Sequence, residues 1–150
     1  MAGKNKIEKA IRLYWDDSGG TARDLTGDLV PGTLTGAGGR KLDEVEMTGV
    51  SNEFHNFLAG HANSEIKASF YLNDTATTGA HTVTAATAGL TGTLTIEYGS
   101  AGAAPTTGDP DWEGEYVLLQ ADMALNGNKP VINCTFKPTG SVAPAWGTKS

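Results

Sequence analysis

With 150 residues, the chain is long enough to form one domain that buries its own core without metals or disulfides. A net charge of −6 argues against an ordinary nucleic-acid binder, and a single cysteine excludes an internal disulfide while suiting synthesis in a reducing cytoplasm. No apolar run approaches the roughly 20 residues of a membrane span, so direct membrane insertion is not expected.

Charge is unevenly placed. Residues 1–12 hold Lys4, Lys6, Lys9 and Arg12 against Glu8, a net of +3, so the remainder carries −9. A basic arm (residues 1–10) on an acidic body fits attraction between copies, and a merely solvated start fits as well. The lysines have no apolar stretch behind them, which excludes a secretory signal.

Residues Ile11, Leu13 and Trp15 alternate with polar neighbours, predicting a strand that ends near Asp16. Asp17-Ser18-Gly19-Gly20 reads as a turn, with a short strand over Arg23 to Val30 after it. The stretch PGTLTGAGGR, Pro31 to Arg40, has only Leu34 to bury and reads as a long flexible loop. An acidic strand follows, with Val45 and Met47 on one face and Glu44, Glu46 and Thr48 on the other. Phe54, Phe57 and Leu58 then fall at helical spacing, and Gly60 closes that segment like a helix end. In the next strand Ile66, Ala68, Phe70 and Leu72 share a face.

A weak helix is predicted over Ala80 to Ala88, stopped by Gly89. Leu94, Ile96 and Tyr98 mark another strand, followed by a loop, Gly99 to Pro110. The C-terminal hairpin places Val117, Leu119, Ala121, Met123 and Leu125 on one face, turns over Asn126-Gly127-Asn128-Lys129, and returns through Ile132, Cys134 and Phe136. From Thr139 the chain reads as a polar tail. These elements define an all-β sandwich or barrel of about seven strands with one or two short α-helices, a single domain over 11–138 and a tail over 139–150.

Sites of chemistry are not found. His55 and His61 lack a third ligand at metal spacing, and His81 stands alone. Asp16-Asp17 and Asp109-Pro110-Asp111 suit turns and fall short of a calcium loop. Glu44/Glu46 and Glu113/Glu115 pair only because strands have a period of two. Cys134 belongs to an inward face. No catalytic residue, metal site or cofactor is expected.

The segment Thr48 to Gly60 reads TG-x-S-x-x-F-x-x-F-L-x-G between two strands. It resembles the block at the centre of the major tail tube proteins of long-tailed, siphovirus-type bacteriophages, and a weaker likeness runs from about Ile11 to Pro138. The resemblance implies a structural virion protein without enzymatic activity, whose copies form stacked hexameric rings. It implies partners in the tape measure, tail terminator and tail tip proteins, with phage DNA passing through the bore without specific binding. Assembly would take place in the host cytoplasm and the product would sit in the virion tail. Ring stacking would use Lys4, Lys6 and Lys9 of the arm with Pro31, Gly32, Leu34, Gly36, Gly38 and Arg40. The motif residues Phe54, Phe57, Leu58 and Gly60 would pack in the core.

An acidic body suits a bore that must not hold a polyanion, since every lysine on a phosphate would add drag. Carboxylates keep DNA at a distance set by a Debye length of roughly 8 Å. Glu44, Glu46, Glu97 and Asp122 are the candidate lining, although a solvated sheet face accounts for any one of them equally. The alternative is a virion decoration protein or a carbohydrate-binding β-sandwich, for which Tyr14, Trp15 and Trp112 would supply the platform.

Overall fold

The computed structural model describes residues 10–39, 41–100 and 102–150. Among the described residues, nine strands and one α-helix run in the order β1 (Ile11–Asp16), β2 (Ala22–Asp24), β3 (Lys41–Glu46), β4 (Phe57–Asn63), β5 (Ile66–Tyr71), α1 (Ala80–Thr87), β6 (Thr91–Tyr98), β7 (Pro110–Asn126), β8 (Lys129–Pro138) and β9 (Ala145–Thr148). The main sheet has the order β2-β1-β6-β7-β8-β5 with β9 added on β7, and every pairing is antiparallel. Strands β3 and β4 form a separate two-stranded ribbon. The all-β class with a single short helix is therefore as expected.

Alternation builds the core. Cross-strand partners share a face, so the rows Ile66–Phe136–Leu118, Ala68–Cys134–Ala121 and Leu13–Ile96–Trp112 all point inward. Most of these side chains are fully buried, each aliphatic or aromatic one stabilising by about 1.5–3 kcal/mol. Trp15 meets Phe136 edge-on at 4.8 Å, and its indole N–H donates to Thr87 Oγ1 on α1 at 2.9 Å. Burial also pushes the Cys134 thiol up to about 12, so it stays protonated and inert.

The sheet closes on itself. From β2 the chain passes through a 3-10 turn, Thr26–Asp28, and then lies along the outer edge of β5. There Val30 N donates to Ser69 O at 2.8 Å, and Thr35 exchanges two backbone bonds with Lys67. At the other end Leu25 N still bonds Leu13 O. Residues 25–35 thus join the two sheet edges and make a barrel, which the short strand expected over Arg23 to Val30 did not foresee. The loop from Pro31 is pinned for the same reason. Gly36 passes so close that a Cβ would lie 1.9 Å from Glu65 O, and Gly38 lies against the Trp146 ring.

Two other expectations change, and the hairpin turn keeps its expected place. The apolar face of β7 is not continuous, because the register against β8 slips between Leu118 and Gln120. This bulge reverses the alternation, so Trp112, Tyr116 and Leu118 are buried before it, while Leu119 is exposed. The hairpin turn places Gly127 (φ +65°) at the first central position of a two-residue loop, with Asn126 still paired to Lys129. The segment after Thr139 is not a free tail, since β9 pairs with β7 at residues 110–113.

Helix α1 is weak in propensity and is held by a distant cap. The Asp28 carboxylate accepts from Ala80 N at 3.2 Å and from the Asn73 amide through both oxygens, at 3.0 and 3.1 Å. Asp28→Ala should therefore lower stability by about 1–2 kcal/mol, read as a fall in the urea midpoint at unchanged m-value.

Candidate assembly interface

The β3–β4 ribbon exposes Leu42, Val45, Met47, Val50, Phe54, Phe57 and Leu58, with Phe54 at 78% and Val50 fully open. An isolated two-stranded ribbon is marginal in water, and a patch of this kind marks a binding surface. The expected core role of Phe54, Phe57 and Leu58 is overturned. Helical spacing is shared by a turn leading into a strand, and that is the arrangement found: Phe54 sits in the tip and Phe57 and Leu58 open β4, with Gly60 inside it. As neighbours on a strand, Phe57 and Leu58 take opposite faces. Leu58 joins Val45, and Phe57 joins Glu46, beside Glu44 paired with Ala59. One face is apolar and the other mixes carboxylates with one aromatic ring.

The tip, residues 47–56, is knitted by its own polar groups. Met47 N donates to Asn56 O at 2.8 Å, Asn56 N to Thr48 Oγ1 at 3.1 Å, and Gly49 N to Asn52 Oδ1 at 3.0 Å. Glu46 contacts His55 Nδ1 at 2.5 Å and accepts from Thr48 Oγ1 at 2.9 Å. The His55 bond, then the Thr48 bond, hold its carboxyl below the usual range. The Thr48–Gly60 block is thus a tip-forming device that displays apolar side chains.

A second uncovered element is the far half of the β7–β8 hairpin. β6 accompanies β7 only to Val117, so among the described residues the edge of β7 from Leu119 to Asn126 has no strand beside it on that side. Leu119, Met123 and Leu125 are exposed along it.

The candidate carboxylates separate. Glu44 and Glu46 are exposed on one ribbon face, and Asp122 is exposed beside Gln120, which donates to it. Glu97 does not belong with them: its side chain is only 8% exposed and is paired with Lys149 Nζ at 2.9 Å. The cause is β9, which carries Lys149 back across the sheet. Sequence reading passed over Glu113 and Glu115 as accidental pairs. They stand on the outer sheet face, accepting from Thr95 Oγ1 and Thr93 Oγ1 at 3.2 Å each. The alternation of residues 111–117 already carried that signal.

Of the ring-stacking candidates, Pro31 and Gly32 lie in an exposed turn. Leu34 is partly buried against the core, and Gly36 and Gly38 pass close to Glu65 and to the Trp146 ring of the same chain. Lys4, Lys6, Lys9 and Arg40 lie outside the described residues. Trp15 and Trp112 are buried, which removes them from any sugar-binding platform. Among the described residues no cluster of three or more His, Cys, Asp or Glu is placed to hold a metal, and no helix is long and apolar enough to cross a membrane.

The fold is shared with chains of tail-like assemblies. One belongs to the tail of an empty GTA particle refined with C6 symmetry, at a TM-score of 0.64 and 14% identity over 97% of this chain and 99% of that one. Another comes from the six-fold symmetrised baseplate of the anti-feeding prophage (AFP), at 0.64 and 9% identity over 99% and 98%. A third is from the sheath–tube complex of an extracellular contractile injection system, PVC, in its extended state, at 0.57 and 10% identity over 95% and 91%. The fold these chains share is the all-β one expected for this chain. In sequence, the chain matches no family model and no curated protein.

The Lys149–Glu97 pair fastens β9, together with Trp146 packed on Trp112 and Tyr98. Glu97 Oε1 is buried with no hydrogen-bond partner among the described residues, so losing Lys149 leaves the whole carboxylate unpaired. The hydrogen bond to Glu97, aided by its charge, holds the Lys149 ammonium above the ordinary lysine range. The clasp is therefore complete below a pH of about 10.4 and is lost as pH climbs through the raised value. Lys149→Met should lower the melting temperature and speed amide exchange over residues 145–148, and wild type should show the same loosening only at strongly alkaline pH.

Proposed function

We propose that this chain is the tube subunit of a phage tail, closing six to a ring and stacking into a tube through which phage DNA passes during ejection. The observation that carries this reading is the β3–β4 ribbon, a separate sheet with large apolar side chains on a domain whose own core is complete. A single copy has no means of covering it, whereas a head-to-tail neighbour does. The free edge of β7 offers a second seam, where backbone pairing with the next copy would extend the sheet.

The lining is assigned to Glu44, Glu46 and Asp122, exposed carboxylates on the two projecting hairpins. The arm with Lys4, Lys6 and Lys9, and the turn at Pro31 and Gly32, are assigned to the neighbouring ring. The tape measure, tail terminator and tip proteins are the further partners, and the subunit assembles in the host cytoplasm before residing in the virion tail. The Thr48–Gly60 block favours the non-contractile kind of tail. The fold likeness, which includes a contractile injection system, supports the tube alone.

Electron microscopy of the purified protein should show hollow rings or tubes. Monodisperse particles that bind a glycan would favour the sugar-binding alternative. Deleting residues 1–9 should leave the circular dichroism spectrum unchanged and stop polymerisation; unimpaired growth would remove the arm from assembly. Wild-type tubes should retain no DNA. Tubes carrying Glu44→Lys, Glu46→Lys and Asp122→Lys should retain it at low salt and release it as salt rises. Charge-reversed tubes that stay empty would place the bore on another face.

A further inference from the structure

A pocket of about 290 Å³ opens where the root of the ribbon meets the turn between β8 and β9, with Ala62, Ser64, Trp112, Pro138, Ala143 and Pro144 among its walls. That volume lies at the lower end of ligand-sized cavities and suits one large side chain. Beneath it runs a buried polar relay. Trp112 Nε1 donates to Tyr116 Oη at 2.9 Å, and Tyr116 Oη shares a hydrogen bond with Ser64 Oγ, also at 2.9 Å. Two hydroxyls bring two hydrogens to this relay, and the bond between them uses one. Tyr116 is fully enclosed while Ser64 borders the pocket, so the unspent hydrogen belongs on Ser64, aimed at an acceptor inside. The pocket fits an apolar body with a carbonyl oxygen beside it.

The same chain displays such a body at the opposite end of the ribbon. Phe54 projects from the tip, and the seven residues of β4 separate tip from root by about 20 Å at roughly 3.3 Å per residue. A tip therefore does not fill the pocket at its own root. Charge agrees with an exchange between copies: residues 46–56 contain Glu46 and Glu53 and no lysine or arginine. Glu65 and Lys137 adjoin the pocket residues Ser64 and Pro138 in sequence, and Lys67 and Lys137 both flank Glu65, at 3.3 and 3.4 Å, leaving a positive balance there.

We propose that Phe54 of one copy seats in the root pocket of the next, with Ser64 donating to a backbone carbonyl of the incoming tip. The contact rests on the tube reading and gives it an anchor: an aromatic ring in a pocket, repeated head to tail by about one ribbon length. Copies bearing Phe54→Cys mixed with copies bearing Ala143→Cys should form disulfide-linked dimers in tubes under mild oxidation, and none while soluble; Cys134, being buried, does not compete. Phe54→Ala, and Ala62→Trp to plug the pocket, should each raise the protein concentration needed for tube growth at least tenfold. Mixed-cysteine tubes without the disulfide would overturn the contact, as would growth of either other variant at the wild-type concentration. A wild type that forms no tubes would sink the tube reading itself, and the contact with it.

Discussion

Every strand has two edges, and each edge carries amides and carbonyls that must be satisfied by a neighbour or by water. The barrel meets most of this requirement internally. Residues 25–35 run from the β2 side to the outer edge of β5, and β8 and β9 share the remaining side of β7. Among the described residues, the outer edges of the short strands β2 and β9 stay open, and the rest of what is uncovered lies in two projections, the β3–β4 ribbon and the far half of the β7–β8 hairpin. The body is finished by one copy; the projections are not.

This division has energetic consequences. The barrel holds Trp15 and Trp112, the capped helix and Cys134, and its core is filled by its own side chains. The ribbon has a self-bonded tip and little else to hold it, so it lies at the low-stability end of the structure. Ordering it against a neighbour costs conformational entropy that apolar burial must offset.

Periodicity made the barrel legible in the sequence. Leu13 and Trp15, Ile66 to Phe70, Leu94 and Ile96, and Ile132 to Phe136 alternate without interruption, and each proved inward-facing. Where a local irregularity intervened, the pattern misled. The bulge at Leu119 has no mark in composition and reverses the faces of a long strand. Phe54, Phe57 and Leu58 mimic a helix because turn-then-strand and helix share short-range spacing. Closure by residues 25–35, the return of β9 and the pairing of Glu97 with Lys149 are contacts between distant segments, which no window along the chain contains. The resemblance carried by Thr48 to Gly60 implied a core role for Phe54, Phe57 and Leu58; their exposure on a separate ribbon needed the structure.

The unpaired residue at Leu119 sets where the outer hairpin points. Removing that one residue would restore a regular ladder and leave every pair in place, Asp122 opposite Asn133 and Met123 opposite Ile132, because β8 alternates without a break. What would go is the bend and extra twist that a bulge adds. One codon thus aims the outer hairpin, while the strand beside it decides which side chains each face carries.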